Sequence, residues 1–151
     1  MCRLLIGLLA MGVVGCTADD KSETGQTQED EHAHHHGDTD VPDDFDPTTE
    51  LVSESGITVS YTTNPAPIPE SAEFSVTFSL GAGVMTEADA TMPTHGGHGM
   101  AVFPEVTDNG DGTYTATPFE FHMPGYWVIH ATVVDENGNE ERVDFEVDCC
   151  E

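Results

Sequence analysis

Apolar and polar residues alternate along the second half of the chain with a period of two. In "AEFSVTFSL", Phe74, Val76, Phe78 and Leu80 share one face, while Glu73, Ser75, Thr77 and Ser79 share the other. "VDFEV" repeats the pattern with Val143, Phe145 and Val147. "GYWVIHATVV" sets Trp127, Ile129, Ala131 and Val133 on one face, and its opposite face is also partly apolar, which predicts a central strand. The same parity groups Val84, Ala88, Ala90 and Met92, and it turns Phe119 and Phe121 inward. "DNGDG" and "DENGN" read as turns between such runs, and no segment sustains a helical period. The pattern predicts an all-β domain over residues 51–151, an immunoglobulin-like sandwich of six to eight strands. "DNGDG" does not fit a calcium loop, because Gly110 stands where a second acidic or amide ligand is needed.

The first fifty residues lack this pattern. "MCRLLIGLLAMGVVGC" places Arg3 before an apolar run and ends it in small residues, the layout of a signal peptide over residues 1–15. Its end, Val13-Val14-Gly15-Cys16, resembles a bacterial lipobox, which implies cleavage before Cys16, lipid attached to that cysteine, and a membrane anchor. Residues 16–50 are acidic and histidine-rich, with Phe45 the only aromatic residue, so they are expected to form a disordered tether. The tract His32–Asp38, "HAHHHGD", would bind divalent metal weakly.

The formal net charge is −26, from 3 basic and 29 acidic residues. Losing Arg3 with the signal leaves 2 − 29 = −27. Such a surface repels nucleic acid and anionic lipid headgroups, which argues against both as partners.

Chemistry concentrates around two Met-Pro steps. "MPTHGGHGM" contains Met92, His95, His98 and Met100, and "FHMPGYW" contains His122 and Met123. Pro93 ends a strand, because it lacks the N–H that a ladder needs. Gly96-Gly97 then allows His95 and His98 to converge. Should both Met-Pro steps lie at one pole of the sandwich, His95, His98, Met100 and His122 would form a cluster. Thioether ligands select copper(I), and imidazole takes copper in either state or zinc, so copper is the leading ion. Acidic residues are sparse in these loops, which argues against calcium or magnesium. His130, inside a strand, reads as a structural histidine. Cys149 and Cys150 adjoin at the end of the chain, open to a vicinal disulfide, free thiols or copper(I) binding, in that order.

The succession "DATMPTHGGHGM" and "DGTYTATPFEFHMPGYWVI" resembles the YtkA-like domain over about residues 57–147. That resemblance implies an immunoglobulin-like sandwich in a bacterial envelope lipoprotein, anchored to a membrane with the outer membrane facing the periplasm favoured, and an association with copper handling. The interval from Met100 to His122 is also similar to that in PCuAC-type copper chaperones. Here, however, Met123 follows His122 directly, so strand alternation would splay the two side chains apart. No nucleophile triad order, phosphate loop or HExxH occurs, and no enzyme is expected. The alternative to a metal-binding lipoprotein is a non-catalytic module that contacts another envelope protein.

Overall fold

A computed structural model describes residues 41–150. The signal segment, Cys16 and the histidine tract lie outside the described residues. Strands β1 (Glu50–Val52), β2 (Thr58–Asn64), β3 (Glu73–Leu80) and β4 (Val84–Met92) lead to a short 3-10 turn, Pro93–His95. After it come β5 (His98–Gly99), β6 (Glu105–Asp108), β7 (Thr113–Glu120), β8 (Gly125–Val134) and β9 (Glu140–Cys149). All pairings are antiparallel. They form a five-stranded sheet ordered β1-β2-β3-β7-β6 and a four-stranded sheet ordered β5-β4-β8-β9. The immunoglobulin-like sandwich expected from the alternation is therefore present, with two short strands, β1 and β5, added to the longer seven.

The inward faces build the core as the parity requires. Phe74, Val76 and Phe78 of β3 meet Trp127, Ile129 and Val133 of β8 and Phe145 of β9 in one buried cluster. Trp127, Phe119 and Phe121 are fully buried, and the Phe121 ring stacks on Trp127 with centroids 4.4 Å apart. Strand β8 pairs on both sides, with β4 and with β9, so it is central, and Tyr126, Val128 and His130 on its second face are buried as well.

Two expectations change. Val84 is 49% exposed, whereas Met85 is buried together with Ala88, Ala90 and Met92. The register of β4 on β8 shifts between Met85 and Glu87, so one extra residue reverses the parity of the strand's beginning. Packing also starts before Leu51. The Phe45 ring stands edge-on to Tyr126 at 6.0 Å, the Asp46 N–H donates to Glu146 Oε2 at 2.7 Å, and Glu50 opens β1. Residues 41–50, assigned to the tether on composition, thus lie against the sandwich.

The turn readings hold. In "DNGDG", Gly110 and Gly112 take positive φ, and Asp111 accepts hydrogen bonds from the Thr113 N–H and hydroxyl. In "DENGN", the Asp135 carboxylate accepts from both Asn139 and Asn137, which holds its pKa down to about 2.

Candidate functional site

Both Met-Pro steps lie at one pole of the sandwich. Met92 ends β4, and its side chain is fully buried. Pro93 opens the 3-10 turn, and Gly96 and Gly97 follow with φ of 70° and 75°. The Gly97 N–H donates back to the Met92 carbonyl at 3.2 Å. The chain then returns as β5, pairing Met92 with His98 and Thr91 with Gly99. The paired glycines accordingly serve a tight reversal that lays His98 beside the end of β4.

The second step is held from beneath. His122 follows β7, and its ring meets the buried Trp127 edge-on, with centroids 5.6 Å apart and planes at 81°. Trp127 Nε1–H donates to the Met123 carbonyl at 3.0 Å, which fixes the loop between β7 and β8. Ser71 supports the same loop from β3's approach, its N–H donating to the Phe121 carbonyl and its hydroxyl to that of His122. Gly125, at φ 122°, brings β8 close to Met92, so that a Cβ there would meet the Met92 methyl at 3.5 Å.

These two loops bring His98 and His122 together. Their Nε2 atoms are 2.9 Å apart, and the rings are T-shaped at 5.0 Å. Read as a hydrogen bond, this contact makes one ring the donor and the other the acceptor. His122 Nδ1 is buried and has no hydrogen-bond partner among the described residues.

The other expected ligands are placed as follows. His95 ends the 3-10 turn and is exposed. Met100, one residue beyond β5, is buried and joins Met92 in the core cluster, with Met123 packed against it. The methionines therefore close the end of the core, and the converging nitrogens are those of His98 and His122. Among the described residues no group of three or more His, Cys, Asp or Glu side chains is arranged to hold a metal.

His130 is buried and well partnered. Its Nδ1 lies 2.8 Å from Asp144 Oδ1, its Nε2 lies 2.8 Å from Thr91 Oγ1, and the Arg142 guanidinium lies against the ring. Burial pushes the Asp144 carboxyl up, but hydrogen bonds from Arg142 and His130 outweigh it and leave its pKa lowered. Alternation alone did not expose this Asp144–His130–Thr91 chain, because it crosses three strands. The register pairs His130 with Asp144 on β9, and with Asp89, two residues before Thr91, on β4.

Cys149 and Cys150 form a vicinal disulfide. Cys149 is buried on the face of Phe145 and Val147, as parity requires.

Comparison with family models, with curated proteins and with solved structures finds no match. The YtkA-like resemblance rests on the motifs alone.

Proposed function

We propose that this protein is a YtkA-like envelope lipoprotein, anchored through Cys16, that binds copper for sequestration or delivery and performs no catalysis. The carrying observation is the 2.9 Å approach of His98 Nε2 and His122 Nε2 from two separate loops. Two nitrogens each about 2.0 Å from a shared ion stand roughly 3.3 Å apart in tetrahedral geometry. An opening of about 0.4 Å would convert the pair into a chelate, and the His98 loop has two glycines that permit it. Met123, partly buried in the loop that carries His122, is the thioether at this pole outside the sealed core, and thioether is the ligand type that favours copper(I). The high acidic charge attracts a cation to the surface without choosing it.

The test is a competition for copper(I) against a chromogenic chelator, using the wild-type chain and the His98→Ala/His122→Ala variant. The histidine tract contributes equally to both. Wild type should retain one equivalent of copper that the variant yields; equal release from both would refute the reading.

One observation favours the alternative of a protein-interaction module. Phe103, in the loop between β5 and β6, is 85% exposed. Exposed aromatic rings are enriched where proteins bind one another, so Phe103 is the contact point this alternative would use.

A further inference from the structure

The pole that carries His98 and His122 has a second feature, independent of the metal reading. Cys149, the last residue of β9, pairs with Gly125, and the ladder ends there. Cys150 lies beyond it, partly buried, with φ 77°. A cleft of about 570 Å³ opens at this point, lined by Tyr61, Ala66, Pro67, Ile68, Cys149 and Cys150.

We propose that Cys149–Cys150 is a thiol–disulfide exchange site, addressed by a thiol or dithiol that enters through this cleft. Three observations carry it. The two Cα atoms are 3.7 Å apart, short of the roughly 4.4–6.8 Å that ordinary disulfides span. Cys150 occupies the left-handed region, which a residue with a Cβ adopts at a cost and which reduction would release. Cys149 is buried, but Cys150 borders an open cleft, and exposed or strained disulfides are the labile ones.

The step balances. A thiolate of the incoming dithiol attacks Sγ of Cys150, the less buried residue of the pair, forming a mixed disulfide and expelling the Cys149 thiolate. The second thiol of the reagent attacks its own bridged sulfur, closing the reagent's disulfide and releasing Cys150 as thiolate. Two protons are taken up, two electrons pass to the cysteine pair, and the dithiol is oxidised. Asp148 lines the same cleft in a strongly acidic molecule, so neutral thiols should react faster than anionic ones.

The test uses the full chain in its oxidised form. It is exposed briefly to dithiothreitol under native conditions, quenched with N-ethylmaleimide and digested with trypsin. Cleavage after Arg142 isolates both cysteines in the peptide Val143–Glu151. Without reductant, that peptide should be unlabelled and lighter than the dithiol by two hydrogens. With reductant it should carry two labels, while tryptophan fluorescence stays native. Labelling that needs prior unfolding in guanidinium, or that occurs with no reductant, would overturn the proposal. Ala66→Trp, at an exposed position on the cleft wall, should slow reduction several-fold. An unchanged rate would overturn the cleft as the route.

Discussion

The loop after Met92 and the loop after His122 each follow a strand end and each contain a Met-Pro step, but they hold their histidines differently. His122 rests on a fully buried indole that also pins the Met123 carbonyl. His98 hangs from a reversal made of two left-handed glycines with open space around them. One side is a fixed post and the other an adjustable arm. A pair built this way can close on an ion without disturbing the core, because only the arm has to move.

The largest expected effect comes from removing the post's support. Trp127→Ala should destabilise the domain by about 3–5 kcal/mol in chemical denaturation, since the indole is fully buried and stacked on Phe121. A loss below about 1 kcal/mol would mean that the post is not anchored in the core.

Replacing a post or arm histidine should act on affinity and leave stability nearly unchanged. His122→Ala and His98→Ala should each weaken copper(I) binding by more than the roughly 10–100-fold seen for lost supporting contacts. His130→Ala should leave it intact, because His130 is engaged by Asp144 and Thr91 on the outer face of the sheet. Acid should also weaken binding, because protons compete for the same ring nitrogens.

The arm can be tested alone. Gly97→Ala meets no neighbouring atom, so its cost is the left-handed conformation itself, about 1–2 kcal/mol. The melting temperature should fall modestly and affinity should drop, with the fluorescence of Trp127 unaltered. A variant as stable as wild type would show that the reversal does not depend on glycine.

The smallest effect belongs to the flank of the post. Burial, helped by the hydrogen bond to Glu146, pushes the Tyr126 hydroxyl up to about 12. A raised pKa favours the neutral form in the folded state. Its contribution is therefore complete below pH 10 and lost as pH rises through about 12. Burial raises Tyr61 as well, so phenolate absorbance followed against pH should show a late-titrating fraction, and Glu146→Gln should bring the Tyr126 part of it earlier.

Alternation made much of this legible. Met92 and Trp127 point where period two puts them, because each strand is buried on a face that a one-residue slip would expose. Phe119 and Phe121 share a face as alternation groups them, but past a register shift that separates them from Tyr114 and Ala116. Val84 did not follow, since the bulge near Met85 is a property of pairing with β8 and leaves no mark in the strand's own sequence. Phe45 was hidden for another reason: one aromatic residue in an acidic run carries too little signal to reveal that it docks on Tyr126. The pole itself could be read from the two Met-Pro steps. Which histidines meet could not, because the choice depends on how far the glycine reversal carries β5 back along β4.

On the proposed function, His98 and His122 grip an ion between their Nε2 atoms. The most direct measurement is the nitrogen NMR of the histidine rings in the full chain, followed as copper(I), which is diamagnetic, is added. The Nε2 signals of His98 and His122 should shift together in the first equivalent, with those of His130 unmoved. Shifts confined to His32, His34, His35 and His36, with the His98 and His122 signals stationary, would contradict it.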